Sequence, residues 1–228
     1  PSFNTIEKCT LEYNLGFAIW TYGGRGQKII NNTIRYAGYR GITSSRPEEA
    51  IISENYVYAT GTDRQGGDLL SGYYQPQATG IWLEEPRNTS IYHNTVERTG
   101  NIGIGIWGNN PGRNNTISYN KVISPMLACG DGGGIYFIPG PNNYDPNNFD
   151  YIHHNIVKDT PGFWGGVKNG EGENDAFGIY LDAGYAPKTY NENVIVFKNT
   201  VVNSYGSGIF HHSTRNTQTY DNTFYFTN

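Results

Sequence analysis

The stretch from Gly80 to Trp107 reads GIWLEEPRNTSIYHNTVERTGNIGIGIW, and it contains one complete period of the chain. Gly80-Ile81-Trp82 opens it, Asn94-Thr95-Val96 follows, and Gly105-Ile106-Trp107 begins the next copy. Outward from here the Asn triplet recurs as Asn32-Thr33-Ile34, Asn55-Tyr56-Val57, Asn120-Lys121-Val122, Asn155-Ile156-Val157, Asn199-Thr200-Val201 and Asn222-Thr223-Phe224. The Gly-Ile motif recurs at Gly134-Ile135-Tyr136, Gly178-Ile179-Tyr180 and Gly208-Ile209-Phe210, with weaker copies at Gly41-Ile42-Thr43 and Gly16-Phe17. The return from Asn to Gly is as short as Asn32 to Gly41, and one full period is about 23 residues. Short apolar segments between Asn and Gly corners at such a period describe a β-solenoid, in which each turn buries its inward side chains against its neighbours. A leucine-rich horseshoe is the rival repeat, and its Leu spacing and helical segments are missing.

The pattern resembles the right-handed parallel β-helix, with asparagines stacked as a hydrogen-bonded ladder at one corner. The resemblance implies an all-β, single-stranded solenoid of about seven to eight turns over residues 1–228. The seven asparagines are then structural, their amides bonding to neighbouring copies and to the turn backbone. Ile42, Ile81, Ile106, Ile135, Ile179 and Ile209 read as one inward stack.

Composition narrows the partners. Lys and Arg number 16 against 20 Asp and Glu, for a formal charge of −4, and no basic cluster follows a phosphate backbone. Nucleic acid is therefore not expected, and no apolar run reaches the length of a membrane span. Cys9 and Cys129 are too few for a disulfide framework, and their pairing stays open. Asn4-Thr5-Ile6 and Asn222-Thr223-Phe224 both read as ladder strands. Open solenoid ends are normally capped, so the expectation is a part of a longer chain, or ends covered by another domain or subunit.

Strand alternation assigns the outer face. With Ile inward, Trp82, Trp107, Tyr136, Tyr180 and Phe210 form one outward column, and Glu84, Asn109, Ile138, Asp182 and His212 form a second. Exposed aromatics in a row need a reason. Cover by the long loops is one, and a platform for sugar rings is the other, with Trp82, Trp107, Tyr136, Tyr180 and Asn109 as the binding residues. Insertions between Asn55 and Gly80, Asn120 and Gly134, and Asn155 and Gly178 swell a single corner, as walls of a cleft do.

Acids stand at that corner. Asp131 in Asp131-Gly132-Gly133-Gly134 and Asp175 in Asp175-Ala176-Phe177-Gly178 each precede a Gly-Ile-Tyr by three residues, which makes them equivalents on adjacent turns. Two carboxylates about 5 Å apart suit acid/base work on a glycosidic bond, and a solvated turn is the other reading of Asp175. Asp131 is either a turn former beside three glycines or a carboxylate that the glycines bend over the face. Asp182 shares the second column with His212 and Glu84, as an acid/base pair or a salt link.

"DGGGIY" followed one turn later by "GIYLD" resembles β-helix glycoside hydrolases, with Asp131 and Asp182 as the matched acids. The relatives often carry a second acid after the position of Asp182, where Ala183 stands here. The resemblance implies an enzyme that cleaves a polysaccharide or oligosaccharide without a cofactor or metal, in a secreted, periplasmic or cell-surface setting. Asp175, Glu84 and His212 are the further catalytic candidates. A polysaccharide lyase, with Lys168, Arg215 or calcium neutralising a uronate, and a non-catalytic glycan-binding β-helix are the alternatives. His153-His154 reads as corner packing rather than a metal site, because His154 precedes ladder residue Asn155 as His93 precedes Asn94.

Overall fold

The computed structural model describes residues 3–61, 78–108, 114–138, 147–162, 175–182 and 190–226. Each turn of chain gives one short strand to each of three parallel sheets. Among the described residues the first runs through eight strands from Thr5–Glu7 to Gln218–Tyr220, and the second through eight from Thr10–Glu12 to Thr223–Tyr225. The third, which carries the candidate site, runs through seven from Ile19–Tyr22 to Ile209–His211. Neighbouring strands in every sheet come from successive turns and pair in parallel. The architecture is the expected parallel β-helix.

The ladder forms at the corner between the first and second sheets. The residue before each ladder position is left-handed, for example Asn31 at φ 55° and His93 at φ 55°, which turns the chain within one residue at a steric cost for non-glycine side chains. The asparagine that follows repairs the backbone. Asn120 Oδ1 accepts from the backbone N–H of Asn94 at 3.0 Å and from its Nδ2 at 2.9 Å, while Asn120 Nδ2 donates to the Ile91 carbonyl at 2.9 Å. The same three contacts repeat through Asn55, Asn94, Asn155, Asn199 and Asn222, and Asn32 makes two of them. Cys9 occupies the first position, where its backbone N–H donates to Asn32 Oδ1 at 3.0 Å.

Glycine marks the corner before the third sheet for a different reason. A β-carbon on Gly134 would fall 2.3 Å from Val157 Cγ1 and 3.0 Å from the Gly178 carbonyl oxygen, and Gly41, Gly80, Gly103 and Gly178 are equally crowded. Only a bare backbone fits that approach.

This packing decides a register that the sequence leaves double. Gly103-Ile104-Gly105-Ile106 offers the motif twice, and Gly103 takes the corner: Ile104 aligns with Ile81 and Ile135, and Gly105 with Trp82 and Tyr136. The expected alignment of Gly105-Ile106-Trp107 is thus off by two residues. Ile104 joins the isoleucine stack in place of Ile106, which lies inward beside Leu83 and Phe137, and Trp107 moves into the second outward column with Glu84 and Ile138. Asn109 lies outside the described residues, as do most of the insertions at 62–77 and 163–174.

Ladder energetics give a first test. Asn120→Ala leaves the buried Asn94 N–H without its acceptor, while Asn94 Nδ2 keeps the Ile52 and Tyr92 carbonyls, so the expected loss is about 1–3 kcal/mol by denaturant unfolding. Asn222→Ala, on the last rung, should cost less than half of that. The register gives a second test. A β-carbon on Gly105 would meet the Trp82 ring at 2.5 Å, so Gly105→Ala should destabilise by about 1–3 kcal/mol. Most of that cost should vanish in a Trp82→Leu background, where a double-mutant cycle reads the coupling.

Candidate functional site

Strands Asp131–Ile138 and Asp175–Leu181 are the longest of the third sheet, because pairing begins before the glycine corner. Asp131 aligns with Asp175, Gly132 with Ala176 and Gly133 with Phe177, as the sequence spacing predicts. The strand then bends while keeping its parallel register, Ile135 aligning with Ile179. Gly132 has φ +152°, a conformation that side chains rarely adopt, and a β-carbon on Gly133 would lie 3.0 Å from the Ile135 carbonyl oxygen and 3.2 Å from Tyr180 Cβ. The three glycines therefore fold the acid-bearing segment toward the outer face of the sheet.

Electrostatics register the same fold. The Tyr180 hydroxyl is pushed well above the usual phenol range, first by burial, then by the charge and hydrogen bond of Asp182, and further by the charges of Asp131 and Asp175. One phenol thus feels all three aspartates, and it stays protonated.

Asp182 leaves the end of its strand with its N–H bonded to the Phe137 carbonyl at 2.9 Å. The Tyr136 hydroxyl donates to Asp182 Oδ2 at 2.5 Å. His212 Nδ1 lies 2.8 Å from Asp182 Oδ1 and 3.3 Å from the Tyr180 hydroxyl. The carboxylate is largely covered, with 15% of its side chain exposed against 51% for His212. With Nδ1 engaged, Nε2 is the imidazole nitrogen left to exchange a proton with solvent or substrate. The sequence columns place Asp182 beside His212; they do not show that Tyr136, one turn before, reaches the same carboxylate.

Glu84 occupies the same column but does other work. Its Oε1 accepts from Arg40 Nη1 and Trp82 Nε1, each at 3.2 Å, and its Oε2 from Ser45 Oγ at 2.7 Å. Arg40 is buried over the Trp82 ring at 4.9 Å, and burial lowers its guanidinium pKa against the pull of Glu84. Trp107 and Ile138 separate Glu84 from Asp182 along the column, so the structure does not bring Glu84 to the other acids.

The aromatic column is covered rather than open. Trp82, Tyr136 and Tyr180 are only 4–5% exposed and pack with Ile102, Ile138 and Phe177, against which Trp107 and Phe210 are half-buried. On the far side of the coil His154 stacks on Tyr119 and His153 on Phe197, with centroids 4.8 Å apart in both pairs. Among the described residues no three His, Cys, Asp or Glu side chains are grouped to hold a metal ion, and no helix is long and apolar enough to cross a membrane. Neither Cys9 nor Cys129 is in a disulfide.

Among solved structures the chain is similar to the periplasmic alginate epimerase AlgG, at 15% identity and a TM-score of 0.51, with 95% of this chain covering 51% of that one. The T265N T268M double mutant of AlgG gives a TM-score of 0.53 at 15% identity, with 97% of this chain covering 51% of the other. The chain spans about half the length of these neighbours, and the likeness is one of fold. No curated protein matches the sequence. The family model described as "Right handed beta helix region" matches residues 1–166. With its stacked parallel sheets and its unbroken asparagine ladder, the chain belongs to the right-handed β-helix family.

Proposed function

We propose that this chain is a glycoside hydrolase that cleaves a polysaccharide or oligosaccharide lying on the third sheet. The observation that carries the reading is the Asp182 carboxylate held by the Tyr136 hydroxyl and His212 Nδ1 on the sheet where Asp131 and Asp175 align on adjacent strands. Glycosidic hydrolysis needs one carboxylic acid to protonate the leaving oxygen, and one carboxylate to attack the anomeric carbon or to draw a proton from water. Asp182, oriented by Tyr136 and His212, takes the second role. Asp131 or its strand neighbour Asp175, about 4.8 Å apart at ordinary strand spacing, takes the first. No step calls for a cofactor. Trp107, half-buried at the edge of the aromatic cluster, is the side chain best placed to stack on a sugar ring, and a secreted, periplasmic or surface setting supplies such a substrate.

The contacts of His212 with Asp182 and Tyr180 favour a second reading, proton abstraction beside a uronate carboxylate, with imidazole and phenol exchanging the proton. That reaction also needs a cation for the uronate. Arg40 is paired with Glu84 and Arg215 with Glu192, Lys168 lies outside the described residues, and calcium would be the substitute. The AlgG fold, an alginate epimerase in its own right, fits a carbohydrate polymer under either chemistry.

A glycan panel separates the readings. Hydrolysis releases reducing ends without absorbance near 235 nm, elimination produces that absorbance, and a binding module does neither. Asp131→Asn and Asp182→Asn should each lower turnover by about 10²–10⁴ with small changes in melting temperature. Near-normal hydrolysis in both variants overturns the assignment.

A further inference from the structure

Asn191, which aligns with Thr214 on the next turn, touches the backbone on both sides of the site. It opens the strand Asn191–Glu192, which pairs in parallel with Thr214–Arg215, two residues beyond His212. Its backbone N–H donates to the carbonyl of Ser213, the residue that follows His212, at 2.9 Å. Its side-chain amide donates to the carbonyl of Phe137 at 2.9 Å and to that of Asp182 at 3.3 Å. One residue therefore ties the backbone that carries Asp182 to the backbone that carries His212, and both to the turn that carries Tyr136.

The other half of the amide argues for a specific role. Asn191 is fully buried, and among the described residues its Oδ1 has no hydrogen-bond partner. A buried polar atom left unsatisfied costs stability, so stability alone favours an apolar side chain at such a place. The amide is kept for its two donated bonds. Those bonds fix where Asp182 leaves its strand, and the position of Asp182 fixes which imidazole nitrogen of His212 is engaged.

We propose that Asn191 is a positioning residue that holds Asp182 and His212 in hydrogen-bonding register. Its effect on turnover rests on the hydrolase reading; its effect on the pair does not. The test uses Asn191→Ala and Asn191→Leu, the second keeping volume while removing the donor, in chain labelled with ¹⁵N histidine. The expected result is a shift of the His212 Nδ1 resonance toward that of an unbonded imidazole, with His93, His153 and His154 unchanged. In the glycan assay kcat should fall roughly tenfold to a hundredfold, the scale of a small misplacement of reacting groups, with KM within about twofold. His212 resonances unchanged in both variants would overturn the proposal. So would shifts of His93, His153 and His154 along with His212, because they mark a general loss of the rungs. A wild-type chain that hydrolyses no glycan, with variants in which His212 alone shifts, upholds the brace and sinks the hydrolase reading.

Discussion

A backbone that turns within one left-handed residue must find partners for the amide groups it strands, and in this chain asparagine side chains supply them rung after rung. Asn32, Asn55, Asn94, Asn120, Asn155 and Asn199 are each 1% exposed, so each of these amides is bonded where water cannot substitute. The corner fixes the angle between the first two sheets. The angle sets the width of the isoleucine and valine core, and the stacking repeats at strand spacing. Positions on the third sheet follow from that repeat, so a side chain there is placed by rungs it never touches.

The site uses the regular scaffold and departs from it at two points. Three glycines let Asp131 and Gly132 pair with the next turn before the corner, where the strand then bends. Asp182 stands where its strand ends, and there the Tyr136 hydroxyl and the His212 ring converge on its two oxygens. Sites on rigid strands hold geometry better than sites on loops. Catalytic groups at strand ends combine a fixed anchor with freedom to face substrate.

Legibility in the sequence follows the same division. The ladder was readable because a one-residue turn tolerates little besides asparagine beside it, and the pairing of Asp131 with Asp175 was readable because both are counted from corner glycines that no side chain can replace. The neighbourhood of Asp182 and His212 also followed from counting. Counting failed at Gly103-Ile104-Gly105, where two glycines compete for one corner, and the contest was settled by Val122 Cγ1 and the Gly134 carbonyl, which leave no room at Gly103. The burial of Trp82, Tyr136 and Tyr180 under Ile102 and Phe177 depends on side chains that precede the corner glycines, and the reach of Asn191 depends on which way its amide turns. No periodicity constrains those.

Glu84 and Asp182 show that a column position does not by itself create reactivity. Both are carboxylates at strand ends on the same outer line of the solenoid. Beneath Glu84 lies Arg40, with 10% of its side chain exposed, and a cation so buried demands a permanent counter-charge; removing the acid would leave an uncompensated charge in the interior. Glu84 is therefore spent on folding. Asp182 meets a neutral phenol from the turn before it and, from the turn after, an imidazole that is half in water. Both partners orient it. On this face the neighbouring rungs decide what a carboxylate meets: a buried guanidinium at Glu84, a phenol and an imidazole at Asp182.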